Sequence, residues 1–347
     1  MDIIKENRKF LKLSNILIIT ISIYFLFLII KYTSRDLVQY YFYFQETQRF
    51  NISFWDWYFT GMYKVEYGGF NPSSDQIGIS YIYWALSKNL TYFQTFYTIS
   101  LISLIIKFYL FNKFIDYPKS AFIVYMMSFA FIWEGNQLSQ GVALIFLTYL
   151  IFSNKNNFFR DTAILLLSML FHLTISIFFL YPLIHVLKFA KIKLDDSYLI
   201  LYILTSVALI SAYLIGNYSD FSETLDYYLN HPRKVNLFGT VFLIQLTLVI
   251  SMLTYNGKLN ANQRKGLYLL FVGTAVYIIF NEVSLIASRF REISIIGAFP
   301  LLFTRFDKFS INVFISRVCF SLICIHNFYI VLYIYIKKPF IEDIINF

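Results

Sequence analysis

The sequence predicts an all-α, polytopic membrane protein: roughly ten to twelve helices forming one integral-membrane domain over residues 1–347. Three observations carry this. Hydrophobic residues make up 58% of the chain and charged residues only 14%, with a mean hydropathy of +0.61, more apolar surface than one soluble core of this length could bury. The apolar runs are continuous stretches of Leu, Ile, Phe and Tyr, not the alternation of apolar and polar residues that an outer-membrane barrel shows. The formal charge of +9 is spread over many loops, which fits orientation by the positive-inside rule and contact with anionic lipid better than nucleic acid. No nucleic-acid partner is expected.

Taken in order, residues 1–13 carry Lys5, Arg8, Lys9 and Lys12, and residues 14–30 form an apolar run with no small-residue cleavage site after it. That pattern predicts a signal-anchor helix with its amino end inside. Residues 31–76 are an expected outer loop mixing Arg35, Asp36, Glu46, Arg49, Asp56, Lys64, Glu66 and Asp75 with many aromatics, which suits either an interfacial aromatic belt or a sugar-stacking cleft wall. Residues 77–86 are apolar but too short to cross the ~30 Å hydrocarbon layer, so a re-entrant or interfacial helix is expected there. Residues 95–114 run inward to Lys113 and Lys119. Residues 120–133 return outward and deliver Glu134, and residues 138–152 go back in to Lys155 and Arg160.

The run over residues 162–187 has basic flanks on both sides: Lys155 and Arg160 before it, Lys188, Lys191 and Lys193 after it. With both ends inside, it must turn back as two half-helices meeting near His172 and Thr174, a break tolerated only where it lines protein or water. The alternative is one long tilted helix with a satisfied His172. Residues 198–215 then lead to a second outer loop at about 217–236, with His231 and Arg233. Residues 237–255 return to a basic inner turn, residues 267–280 go out again, and a third outer turn at about 281–292 holds Glu282, Arg289, Arg291 and Glu292. Residues 293–303 come back to Arg305 and Lys308, and residues 311–336, containing Arg317 and His326, leave the carboxyl end outside.

Zinc spacings and the glycine-rich, nucleophile-elbow and HExxH motifs of soluble enzymes are absent, and Cys319 and Cys324 point to different faces of one helix, so neither a metal, a cofactor nor a disulfide is expected. Sequons at Asn51, Asn89 and Asn217 carry no information in a chain this rich in Asn, Ser and Thr, and His185 beside a basic inner turn is read as structural. What remains are ionisable groups at membrane depth, which are candidate functional residues because burying them costs energy. The orientation gathers Arg35, Asp36, Glu134, His172, His231, Arg233, Arg289 and Arg291 at the outer leaflet. Guanidinium groups bind phosphate bidentately, which makes the arginines candidates for a lipid pyrophosphate; snorkelling at a helix end is the competing reading for Arg289 and Arg291. His172, Glu134 or Asp36 could take a proton from a sugar hydroxyl, although membrane-buried polar groups also serve as interhelical hydrogen bonds.

Arg35-Asp36 before a Tyr-rich loop, then EYGGFNPSSDQIGISYIYWAL, NQLSQGVALIFL, LLSMLFHLTISIFFLYPL and SRFREISIIGAFPLL, resemble in order and spacing the EpsG family of Wzy-type polysaccharide polymerases, over about residues 35–302. Phe171, His172 and Thr174 or Ser176 match that family's FH-x-[ST] element, and Arg289 and Arg291 answer its carboxyl-terminal Arg element without the Tyr. One position departs: where the family commonly has Arg-Gln at the start of the helix after Glu134, this chain has Ser139-Gln140, so either a phosphate contact made there passes to Arg233 or Arg291, or the substrate differs. The resemblance implies an inner-membrane glycosyltransferase that joins undecaprenyl-pyrophosphate-linked oligosaccharide repeat units into O-antigen or capsule at the outer face. Its substrate would be a lipid-linked glycan in the bilayer, with room for a chain-length regulator as a partner and no cofactor, since pyrophosphate is already a good leaving group. It would use Arg35, Arg233, Arg289 and Arg291 for the pyrophosphate and His172, Glu134 or Asp36 as base or acceptor guide. A flippase of lipid-linked saccharide, a polyprenyl-phosphate-dependent membrane glycosyltransferase, or an acyltransferase decorating the polymer are the alternatives; no internal repeat of the transporter kind is visible.

Overall fold

The computed structural model describes residues 77–135, 137–152, 157–218 and 236–337, with Ile18, Thr20, Ile21, Phe44, Phe54 and Trp55 before them. The described residues form helices and turns only, as an all-α polytopic membrane protein requires. The expected signal anchor and the outer loops at 31–76 and 217–236 lie almost wholly outside them. Windows in three helices, Tyr92–Phe114, Asp196–Leu214 and Ile311–Tyr333, are long and apolar enough to cross a membrane by length and composition.

Helix α1 (Ile77–Ser87) is short, as the sequence predicts, and Gly78 lets its first turn lie against the Leu170 carbonyl and the Phe171 ring. Helix α2 (Tyr92–Phe114) opens on a capping box in which Thr91 and Gln94 satisfy each other's backbone N–H groups, which starts it three residues before the hydropathy reading does. Helices α3 (Pro118–Ser128) and α4 (Ala130–Trp133) form one outward path broken at Phe129, and α5 (Leu138–Phe152) returns. At ~1.5 Å per residue the 15 residues of α5 reach roughly 22 Å, less than a ~30 Å hydrocarbon layer.

The run over 162–187 is broken, as the basic flanks demand. Helix α6 (Phe158–Phe171) stops at His172, which takes an extended backbone (φ −157°, ψ 114°); a 3-10 segment follows over Leu173–Leu180, then helix α7 (Leu183–Phe189). The two ends of this hairpin meet, because His185 Nε2 on α7 lies 2.6 Å from Asp161 Oδ2 on α6. The single tilted helix is thereby excluded.

Helix α8 (Leu194–Tyr218) and helix α9 (Thr240–Leu253) flank helix α10 (Ala261–Ile279), which is apolar around most of its circumference and buried accordingly. Two differences from the sequence reading arise here. The Asn260/Gln263 capping box begins α10 six residues early, so Arg264 and Lys265 belong to its first turns and not to a loop. The expected outer turn at 281–292 is mostly helix α11 (Ser284–Ser294), which runs back along α10 through a 3-10 turn at Ile295–Gly297 into α12 (Ala298–Leu302). Its polar residues share one helical face and its apolar residues another, a pattern that window averages of hydropathy read as a polar loop. Gly266 and Gly297 permit the closest approach: a Cβ on Gly266 would stand 2.2 Å from the Gly297 carbonyl oxygen.

Helix α13 (Ile311–Lys337) packs against α9 and α3. It starts beside Tyr255, whose hydroxyl donates to the Lys308 carbonyl at 2.9 Å, and ends with Val331 against Phe131, so it runs from the basic end of the bundle to the Glu134 end. The basic turns form one face: Tyr117 N donates to Phe303 O, Arg305 N to Asp116 Oδ2, and Gln263 Nε2 to Arg305 O.

Candidate functional site

Two polar clusters occupy the apolar bundle near the ends of the broken helices. The first surrounds Glu134, the carboxyl cap of α4. Its carboxylate is ion-paired with Lys107 of α2 and accepts hydrogen bonds from Tyr125 of α3 (2.9 and 2.6 Å) and from Ser103 Oγ (3.0 Å). Lys107 also donates to the Tyr125 oxygen (2.9 Å) and to the Gly141 carbonyl (2.7 Å), while Ser100 Oγ donates to the Glu134 carbonyl (2.9 Å). All three ionisable side chains have zero exposure. Gly141 is required, because a Cβ there would meet the Trp133 carbonyl oxygen at 2.5 Å. The network clamps the turn between α4 and α5 against α2. Lys107, the partner that makes Glu134 affordable, was not singled out from the sequence, although a lysine deep in an apolar run is the signal that could have found it.

The second cluster gathers His172, Thr174, Gln140 and Arg289. The break after Phe171 is fixed by Ser168, whose Oγ donates to Ala143 O on α5 at 2.8 Å, and by the Phe171 ring stacked on Phe146. At the break, His172 Nδ1 and Thr174 Oγ1 stand 2.6 Å apart, and no hydrogen bond to Nε2 is seen among the described residues. Either atom can donate in this contact: when Nδ1–H donates to Thr174, Nε2 carries the lone pair that a general base needs, and when Thr174 donates, Nε2 carries the proton. Arg289, on α11, donates Nη1 to Gln140 Oε1 at 3.4 Å across 149 positions of sequence, and its charge acts on the His172 imidazole.

Several groups here are left incomplete. Gln140 is fully buried, yet its Nε2 finds no acceptor among the described residues; Gln137 Oε1, three residues before it, and Glu292 Oε2, three residues beyond Arg289, find no donor. A buried polar atom left unsatisfied costs about 1–3 kcal/mol, so such a set marks a place where water or a polar ligand completes the bonding. Arg291, two residues beyond Arg289, lies over the Tyr277 ring at 5.1 Å, and Tyr277 in turn stacks on Phe242.

Of the candidates read from the sequence, the structure therefore brings His172 and Arg289 together, engages Glu134 in the neighbouring clamp, and sets Arg291 against an aromatic pair. Arg35, Asp36 and Arg233 lie outside the described residues. The position at which the resemblance leads one to expect an arginine is occupied by buried Ser139, and the guanidinium found beside it, at Gln140, belongs to Arg289. No group of three or more His, Cys, Asp or Glu side chains suited to a metal occurs among the described residues.

The described residues thus form an all-α membrane bundle in which a broken helical hairpin places a histidine within electrostatic reach of an arginine from a distant helix. The family model described as the EpsG family matches residues 12–345, nearly the whole chain, and the protein belongs to that family, which is Wzy-type-polymerase-like and implies a polysaccharide polymerase or glycosyltransferase at a coarse level. No curated protein and no solved structure matches the chain.

Proposed function

We propose that the protein polymerises undecaprenyl-pyrophosphate-linked oligosaccharide repeat units into a surface polysaccharide, O-antigen or capsule, at the outer face of the inner membrane. The observation that carries this reading, beside family membership, is the meeting of Arg289, Gln140 and His172 from three sequence-distant segments in one incomplete polar cluster. In this mechanism Arg289 and the Gln140 amide hold the pyrophosphate of the donor, where the resemblance would place an arginine at 139. His172 Nε2 accepts the proton of the acceptor sugar hydroxyl as its oxygen bonds to the donor's anomeric carbon. The bond from that carbon to the pyrophosphate oxygen breaks, and the lipid pyrophosphate leaves with its charge held by the guanidinium. Charge stabilisation of this kind contributes on the order of 10²–10³-fold for one donor. Glu134, fully engaged by Lys107 and Tyr125, acts by fixing the α4–α5 turn. Arg35, Asp36 and Arg233 belong to the expected outer-face loops and are further candidates for phosphate and acceptor contacts.

The test is complementation of a strain lacking the gene with Arg289→Ala and His172→Ala, each checked for membrane abundance, followed by separation of surface polysaccharide by length. Single repeat units with no ladder are expected for both. A normal ladder from either variant overturns the assignment of that residue, and loss of all lipid-linked repeat units at the outer face in the deletion strain would point to a flippase instead.

A further inference from the structure

Arg289 meets Gln140 only if α11 keeps one height and one rotation against α10, and contacts between these helices fix both. Gly266 and Gly273 are two turns apart on α10 and so open onto one face. A Cβ on Gly273 would stand 3.0 Å from the Phe290 carbonyl oxygen, 1.9 Å from Ser294 Oγ and 2.2 Å from Ser294 Cβ. Since Gly266 lies against the Gly297 carbonyl, Phe290 and Gly297 repeat the spacing of the two glycines in the opposite chain direction. The neighbours on that face of α10 are Leu269, Leu270, Val276 and Tyr277, all bulky, so the close approach is possible at this height alone.

A polar contact adds the rotation. Ser294, the last residue of α11 and fully buried, donates Oγ to the Arg291 carbonyl at 2.8 Å, and Thr274, next to Gly273, donates Oγ1 to the Leu270 carbonyl at 2.8 Å. With both hydroxyl protons committed to the main chain, the two oxygens are acceptors. Gln245 of α9, itself buried, supplies the donor: its Nε2 lies 3.5 Å from Thr274 Oγ1 and 3.4 Å from Ser294 Oγ. One amide therefore bridges three helices where two of them come closest. Hydrogen bonds weaken steeply with angle, which apolar packing does not, so the bridge resists turning of α11 as well as sliding.

We propose that Gln245 and Ser294, with Gly273 giving them room, are positioning residues that set the register of α11 and through it the point at which Arg289 meets the pyrophosphate. The inference rests on the role given to Arg289 above. Neither residue need touch the substrate. Arg289 is five residues before Ser294, about 7.5 Å along the axis at ~1.5 Å per residue, so a shift at Ser294 is carried to the root of the arginine. Misplacement by about 1 Å at a reacting centre costs on the order of 10²-fold in rate.

The test is a cycle of variants of the full-length protein in liposomes, with its lipid-linked repeat unit isolated from the deletion strain as substrate and kcat/KM as the readout. Arg289→Lys should lose about 10²-fold, the share of one charge-stabilising donor. Gly273→Ala, which forces α11 away, should also lose on the order of 10²-fold, and Gln245→Met, close in shape but without the amide, about five-fold. Added to Arg289→Lys, either change should cost less than about two-fold more, because the contact it would misplace is already lost; general damage to the fold would instead multiply. Melting temperatures establish folding, and Gln245→Met carries the cycle if Gly273→Ala does not fold. Multiplicative losses, or wild-type rates in both Gly273→Ala and Gln245→Met, overturn the positioning role and leave that of Arg289 standing. An Arg289→Lys variant at the wild-type rate, or no chain made by the wild type, overturns the reading of the reaction and this inference with it.

Discussion

The clamp around Glu134 and the cluster around Arg289 sit within a few residues of each other in sequence at Gly141 and Gln140, yet they are built in opposite ways. In the clamp every charge meets its opposite: one ammonium, one carboxylate, a phenol and a serine exchange bonds with zero exposure. In the second cluster a guanidinium lies within electrostatic reach of an imidazole, and a buried amide nitrogen has no acceptor among the described residues. A low-dielectric interior strengthens satisfied polar contacts and penalises unsatisfied ones, so the same surroundings stabilise the first cluster and leave the second in need of a ligand. The adjoining residues are related by function: Lys107 holds the carbonyl of Gly141, and Gly141 follows the residue that receives Arg289. The satisfied cluster fixes the backbone on which the unsatisfied one is displayed.

The largest effect should come from breaking the clamp on one side only. Lys107→Met removes the ammonium and strands Glu134 as a buried, unpaired carboxylate, which should cost about 3–5 kcal/mol of stability, read as a lowered melting temperature of the purified protein. Lys107→Met combined with Glu134→Leu removes both charges and should recover most of that loss. A single variant as stable as the wild type would show that the pair is not what holds the turn.

How much of this contrast was legible in the sequence depended on the kind of signal. The broken hairpin followed from basic flanks at Lys155, Arg160, Lys188 and Lys191, because charge distribution fixes which side a loop occupies. His172 and Glu134 stood out as polar groups in apolar runs, and α5 was bounded correctly by hydropathy alone. Hydropathy hides the helix at 284–294, because an amphipathic helix averages to a polar stretch, and the early start of α10, because a capping box such as Asn260–Gln263 carries no apolar signal. Long-range partnerships such as Lys107 with Glu134, Asp161 with His185 and Arg289 with Gln140 were beyond reach, since nothing local in one sequence reports which helices become neighbours.

In the His172–Arg289 cluster the sensitive quantity should be turnover and not folding. His172→Ala should lower the polymerisation rate on the order of 10²–10⁴-fold, the usual span for a positioned acid–base group, while the melting temperature changes little. His172→Gln, which retains a polar side chain but no base, should be equally inactive; recovery of activity in that variant would assign His172 to hydrogen bonding alone. Gln140→Leu should behave differently from both. It removes an amide that is already half unsatisfied, so stability should hold or rise slightly, while chain length shortens through loss of the Arg289 contact.

The smallest effect should be at Arg291, and it sharpens the comparison because Arg289 and Arg291 share one helix and nearly the same sequence surroundings. Their side chains leave α11 roughly 200° apart, given about 100° per residue, so one faces Gln140 while the other faces Tyr277. A guanidinium 5.1 Å from that ring contributes through cation–π attraction and packing, on the order of 0.5–2 kcal/mol. Arg291→Gln should therefore lower the melting temperature modestly and leave the polysaccharide ladder intact, whereas Arg289→Gln should abolish the ladder with the melting temperature nearly unchanged. The opposite pattern would transfer the phosphate contact to Arg291, in which case the incomplete groups at Gln140 and Gln137 would mark bound water and not the substrate.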